Sequence, residues 1–273
     1  MPGLGWLDVS KIDFNALLLL EPLHAACLAD RQPSEAMGTA LAAHPAVRWY
    51  LGHIHPPIQA YIEGCLALAQ PDPAPEALRA AEVAVLDSMH DWLIYVLDPD
   101  RYDQLAFLGW EDQSLLGMAD FTDKIVLDIG SGTGRLAFTV APFAHTVYAV
   151  EPVANLRRFL WFKRTRLGLE NVYPSDGTLT QIPFPPDFAD ILMAGHVFGE
   201  DFDAEYSEMA RVVKHGGLIL LHPGTDAVHD DDAHHYLLTH GFKFDTFEEP
   251  GDGLKRKYWK TVHKPTQKKE LTI

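Results

Sequence analysis

Apolar positions along the chain change their period part-way. In roughly the first hundred residues they recur at helical spacing inside segments of helix formers, which predicts helices over residues 14–30, 34–44, 57–69 and 75–97, with Pro33, Pro45, Pro56, Pro71 and Pro73 in the turns. In the last of these, Leu78, Ala81, Val85, Met89, Trp92 and Tyr95 form a stripe that reads as core. Farther on the apolar residues gather into short runs at residues 124–127, 146–150, 171–174, 190–194 and 218–221. Short runs of this kind read as buried parallel strands. Between them lie helical patterns at residues 136–140, 153–167 (closed by Gly168) and 204–214, then a turn at His215-Gly216-Gly217. Residues 242–247 and 257–262 alternate as strands do, joined through Pro250-Gly251-Asp252-Gly253 into a closing hairpin. The expectation is a doubly wound α/β domain over residues 111–273 behind an all-helical region over residues 1–110.

Composition narrows the class. A chain of 273 residues with 47% hydrophobic content buries a sizeable core. The formal charge of −16, from 38 acids against 22 bases, repels phosphate backbones and argues against nucleic acid as a partner. Two basic clusters, Arg157, Arg158, Lys163, Arg164 and Arg166, and Lys264, Lys268 and Lys269, read as a solvated helix face and a frayed tail. No apolar run approaches the roughly 18 residues that span a bilayer, and the first residues lack the basic start of a secretory signal, so a cytoplasmic protein without a membrane partner is expected. Cys27 and Cys65 stand apart, with neither a disulfide framework nor a zinc pattern. His24, His44, His53, His55 and His90 carry no metal-ligand spacing. His222, His229, His234 and His235 crowd around Asp230-Asp231-Asp232, but a helix start explains the aspartates, so no metal is expected.

The chemistry centres on Val126-Leu127-Asp128-Ile129-Gly130-Ser131-Gly132-Thr133-Gly134-Arg135, a strand that opens into glycines and then a helix. Glycines there permit positive φ and close backbone approach, and the helix start offers free N–H groups. The dinucleotide fingerprint G-x-G-x-x-G needs its last glycine where Arg135 stands. Asp128 disfavours a pyrophosphate and favours a cation. These residues resemble motif I of the class I S-adenosylmethionine-dependent methyltransferases. The resemblance implies S-adenosylmethionine as cofactor, with Asp128 near its amino acid end and Gly130, Ser131, Gly132 and Gly134 as the floor.

Glu151-Pro152 ends the second strand, where an acid accepts both hydroxyls of a ribose, in this ligand or in a nicotinamide dinucleotide. After the third strand, Ser175-Asp176-Gly177-Thr178 and then Ile182-Pro183-Phe184 leading to Asp190 resemble the type 11 subgroup, in which Asp176 holds the position that accepts from the adenine amino group and Gly177 and Thr178 flank it. Arg211-Val212-Val213-Lys214-His215-Gly216-Gly217 is similar to a structural motif of the same family. The family's seven-stranded, mostly parallel sheet ending in a hairpin is therefore the expected fold, with the helical region as a substrate-covering cap.

His196, in the loop after the fourth strand, faces the place where ligands react in open α/β sheets; it reads either as a general base or as packing against the cofactor. Tyr102, within a Tyr-Asp pair resembling one that precedes motif I, reads as a cover for the cofactor, a second proton acceptor, or simple packing. The loop Gly195-His196-Val197-Phe198 departs from the Asn/Asp-Pro-Pro-Tyr/Phe pattern of enzymes that methylate base or amide nitrogens. The expected activity is methyl transfer to a small molecule. A protein-directed methyltransferase and a binding module without turnover are the alternatives, and the acceptor and the oligomeric state, a homo-oligomer included, are left open.

Overall fold

The computed structural model describes residues 6–264, so Lys268 and Lys269 of the expected tail lie outside the described residues. Two compact units emerge, one from residues up to Leu105 with Val153–Leu156, the other from Ala106–Pro152 and the chain from Arg157 onward.

The helical unit runs through single-turn 3-10 segments and α1 (Pro22–Ala29), α2 (Glu35–Ala43), α3 (Pro45–Ile54), α4 (Gln59–Ala67), α5 (Pro75–Asp87), α6 (His90–Leu97) and α7 (Pro99–Tyr102). Three differences from the sequence expectation have local causes. The helix expected at 14–30 divides, because Pro22 lacks an N–H and Glu21 before it is extended, leaving a 3-10 turn at Phe14–Leu19 and then α1. Pro45 starts α3 rather than ending a turn: it occupies the first helical position, where its missing N–H is no loss. The helix expected at 75–97 breaks at Ser88, whose hydroxyl donates to the Val85 carbonyl at 2.7 Å while the Met89 N–H shifts to Leu86 O.

Phe14, Leu17, Leu28, Leu41, Leu51, Ile58, Ile62, Leu86 and Leu93 fill the core of this unit. Val153 and Leu156 join it. Glu21 holds that segment, its carboxylate accepting from the Ala154 N–H at 2.8 Å and the Asn155 N–H at 3.3 Å. The first unit therefore stops short of residue 110 and takes in the beginning of a later helix. Leu86→Ala is expected to destabilise the helical unit by about 2–5 kcal/mol, through lost burial and the cavity left behind. A lower urea midpoint checks this.

The second unit contains α8 (Gln113–Leu116), β1 (Ile125–Ile129), α9 (Arg135–Val140), β2 (Thr146–Val150), α10 (Ala154–Leu167, from Arg157 onward), β3 (Val172–Ser175), β4 (Ala189–Gly195), α11 (Phe202–Val212), β5 (Val213–His222), α12 (Asp232–Thr239), β6 (Lys243–Glu249) and β7 (Gly253–Thr261). Its sheet has seven strands in the order β3-β2-β1-β4-β5-β7-β6. All pairings are parallel except those of β7, which runs antiparallel to β5 and β6. Consequently β1 to β6 all end at the same rim. The strand order reverses beside β1, so the ends of β1, β2 and β4 frame the crevice where open α/β sheets bind ligands.

His215-Gly216-Gly217 is not the expected turn but an irregularity inside β5. Val213 pairs with Ala189, the register shifts, and Leu218 pairs with Ile191. Asp190, spanned by this shift, accepts from the Lys214 ammonium at 2.7 Å and the Ile125 N–H at 2.9 Å. Caps follow the sequence: Asp201 accepts from the Ala204 N–H at the start of α11, and Asp231 from the His234 N–H at the start of α12. Among the described residues no helix is long and apolar enough to cross a membrane.

Candidate active site

The rim of the sheet is built first at the glycine turn. Gly130, Gly132 and Gly134 all hold positive φ, and Gly134 is the N-cap of α9. The N–H groups of Gly130 and Ser131 donate to Val150 O, at 2.8 and 3.1 Å, which fastens the turn to the end of β2. Ser131 Oγ donates to Asp128 O at 2.7 Å.

Asp128 closes the turn from beneath. It is 1% exposed, and its Oδ2 accepts from the Ala137 N–H at 2.9 Å in the first turns of α9. Its Oδ1 is buried with no hydrogen-bond partner among the described residues. Burial, opposed by the Ala137 and Ser131 hydrogen bonds and reinforced by the nearby Glu151 charge, pushes this carboxyl up to about 7.

Glu151 follows β2, and its buried Oε2 accepts from the Gly132 N–H at 2.8 Å. The Glu151 N–H donates to Ser175 O at 3.0 Å, which sets the residues after β3 beside it. Arg157 joins them: its guanidinium donates to the carbonyls of Glu151 and Pro152, each at 2.7 Å, and to Asp176 Oδ1 at 3.0 Å. Asp176 is open to solvent, with its side chain 73% exposed. Gly177 and Thr178 continue from it, Thr178 bridging to Gln181. Asp128, the glycine turn, Glu151, Pro152 and Asp176 are thus one connected group.

His196 follows β4 and joins the same rim. Its neighbour Val197 lies so close to Gly130 that a Cβ on the glycine would stand 2.4 Å from Val197 Cγ1. The His196 N–H donates to His222 O at 2.8 Å, and its Nε2 stands 3.2 Å from Glu249 Oε2, at the end of β6. His222 ends β5, its ring stacked on Trp110 at 5.4 Å and met edge-on by Phe247 at 5.3 Å. Burial, with the nearby Lys257, His196 and Arg135, pushes its imidazole down to about 3, so the ring is neutral. Arg135 lies over the other ring system, its guanidinium 4.2 Å from the Trp110 centroid, and pairs with Asp112 at 2.6 Å.

Tyr102 belongs to the helical unit, where its ring meets Tyr95 edge-on at 4.9 Å. The other histidines of the crowded segment are used elsewhere: His234 Nδ1 lies 2.9 Å from the Tyr258 hydroxyl, while Asp230 pairs with Arg256 at 2.6 Å. Glu249 was not foreseen in the sequence. The only signal was an acid at the end of an alternating run just before Pro250-Gly251, and nothing local ties it to His196, 53 positions earlier.

Residues 127–221 match the family model described as a methyltransferase domain, type 11. An uncharacterized methyltransferase of Geobacillus thermodenitrificans is 29% identical over 185 residues, covering 65% of this chain and 82% of that protein. The uncharacterized methyltransferase YcgJ of Bacillus subtilis is 34% identical over 99 residues, 35% of this chain and 39% of its own length. A solved S-adenosylmethionine-dependent methyltransferase from Aquifex aeolicus is 18% identical with a TM-score of 0.49, covering 61% of this chain and 99% of that chain. Residues 127–221 thus match a methyltransferase domain, and over about two thirds of its length the chain is similar to a protein named a methyltransferase.

Proposed function

We propose that the protein methylates a small-molecule acceptor at the rim formed by the ends of β4, β5 and β6. The observation that supports this is the placement of His196: its loop packs on the glycine turn through Val197, and its ring is 40% exposed beside Phe107, with ring centroids 5.5 Å apart. An imidazole beside an aromatic ring suits a compact organic acceptor.

The residues of the turn fit the donor. Asp128 Oδ1 is a buried acceptor without a partner among the described residues, suited to the ligand's ammonium, and the glycines leave the backbone open to close approach. Glu151 would hold the ribose hydroxyls, and Asp176 with Gly177 and Thr178 would take the adenine. The donor supplies an electrophilic methyl on a sulfonium. The chain's own contribution is alignment and exclusion of water, with His196 as the proposed proton acceptor.

Calorimetric titration with S-adenosylmethionine, S-adenosylhomocysteine and NAD tests this. Binding of the first two alone is expected; binding of NAD alone would return the protein to the oxidoreductases. Glu151→Ala removes the Gly132 acceptor and the proposed ribose acceptor together. It is expected to weaken S-adenosylmethionine binding by about 100-fold, near 2.8 kcal/mol at 1.4 kcal/mol per tenfold. Unchanged affinity in that variant would remove Glu151 from the site.

A further inference from the structure

His196 is held in an unusual way. Its φ of 57° lies in the left-handed region that residues other than glycine seldom enter. Its backbone N–H is tied to His222 O, and its ring lies over Gly224, where a Cβ would stand 2.6 Å from Nδ1. Backbone strain, a strand-end hydrogen bond and a bare glycine together aim one imidazole.

The group it is aimed at is Glu249, wholly buried, with Oε2 3.2 Å from His196 Nε2 and Oε1 lacking any hydrogen-bond partner among the described residues. A carboxylate oxygen accepts, which favours the tautomer with the ring hydrogen on Nε2 and the lone pair on Nδ1. The charged groups of neighbouring elements act on His222, which lies beside His196: Lys257 from β7 and Arg135 from α9. His222 is neutral, Lys257 donates to Ser114 O at 3.0 Å and Arg135 is paired with Asp112, while Glu249 Oε2 is the carboxyl oxygen that His196 Nε2 meets.

We infer that Glu249 is a positioning residue that makes His196 the proton acceptor of the transfer, and that the acceptor atom is a hydroxyl oxygen. The inference rests on the methyltransferase reading above. An amine attacks through its lone pair and sheds its proton afterwards, and a thiol ionises near pH 8.5 without help, whereas a phenolic hydroxyl ionises near pH 10 and needs a base during attack. As the oxygen–carbon bond forms, the hydroxyl proton passes to Nδ1. The electron pair of the breaking sulfur–methyl bond stays on sulfur and cancels its positive charge. The imidazolium, held against the Glu249 carboxylate, then releases its proton to solvent.

Nitrogen-15 histidine spectra of the ligand-free full chain, titrated against pH and assigned with His196→Asn, test the pair without turnover. Neutral His196 is expected as the Nε2–H tautomer in the wild type, with both tautomers populated in Glu249→Leu. An Nδ1–H tautomer in the wild type, or the same tautomer balance in both proteins, would overturn the assignment. Should Glu249→Leu not fold, the wild-type tautomer decides alone.

Turnover of catechol and of thiophenol, read as S-adenosylhomocysteine formed, tests the acceptor. Catechol methylation is expected to fall about 10²- to 10⁴-fold in His196→Ala. Thiol methylation as fast as that of catechol in the wild type, and unchanged in His196→Ala, would overturn the hydroxyl assignment. Loss of S-adenosylmethionine binding in the wild type would instead sink the functional reading, whatever the tautomer.

Discussion

Gly134→Ala is expected to lower stability by about 2–5 kcal/mol and to abolish measurable S-adenosylmethionine binding. Gly134 sits at φ 87°, where a side chain costs about 1–2 kcal/mol in backbone strain. An added Cβ would lie 2.5 Å from two atoms of the Phe138 ring and 2.7 Å from Leu160 Cδ2, and overpacking of this kind adds about 1–3 kcal/mol. Phe138 has no easy retreat, because the Lys163 ammonium, itself donating to Thr133 O at 3.0 Å, lies 5.1 Å from its ring centre. Relief therefore has to come from the turn, which moves the N–H groups of residues 130–134 out of place. Thermal unfolding and calorimetric titration check both halves. A variant within 1 kcal/mol of the wild type with normal binding would show that the turn has slack the packing does not suggest.

Asp128→Asn is expected to act in opposite directions on stability and on binding, and its effect on stability depends on pH. The folded-state carboxyl ionises near 7, against about 3.9 when unfolded, so between those values the folded chain holds a proton that the unfolded chain has lost. Stability linked to Asp128 is therefore fully present below about pH 4, declines as pH rises from 4 to 7, and stays low above 7. At about 1.4 kcal/mol per pH unit the decline amounts to roughly 4 kcal/mol. Asparagine cannot ionise and escapes it. Its buried amide hydrogens inherit the place of the unpartnered Oδ1, at a cost of about 1–3 kcal/mol.

The ligand-free variant is thus expected to be more stable than the wild type by roughly 1–3 kcal/mol at pH 8, with no advantage at pH 4. Differential scanning calorimetry at the two pH values reads the difference. Binding of S-adenosylmethionine is expected to be at least tenfold weaker, since the cationic ligand favours the ionised form that asparagine lacks. The wild type should release a proton on binding near pH 6, seen as a dependence of binding enthalpy on buffer. Equal pH profiles for the two proteins would place the Asp128 ionisation below the whole range.

Local chemistry made much of the second unit legible. Short apolar runs between helical patterns marked five of the seven strands and two alternating segments the other two, and the type 11 resemblance indicated how they are ordered. Gly130, Glu151 and Asp176 were legible as candidate site residues because each directly follows a strand end, where position along the chain and position at the rim coincide. The helical unit was read less well. Pro22 and Pro45 each start a helix directly behind its N-cap, where the composition cue reads only as an interruption; the break at Ser88 depends on a hydroxyl choosing a backbone carbonyl. Period and propensity do not register such choices.

Sequence alone was enough for the alternation of strand and helix and for the glycine turn with its acids, because these are properties of neighbouring residues. The partner of His196 and the buried state of Asp128 were decided by the folded chain. Glu249 reaches His196 only because β7 reverses between β5 and β6, which brings the end of β6 to the rim that holds the end of β4. Asp128 ionises late only because α9 and β2 close over it and withhold water. Both are effects of distance and dielectric in three dimensions, and neither has a signature along the chain.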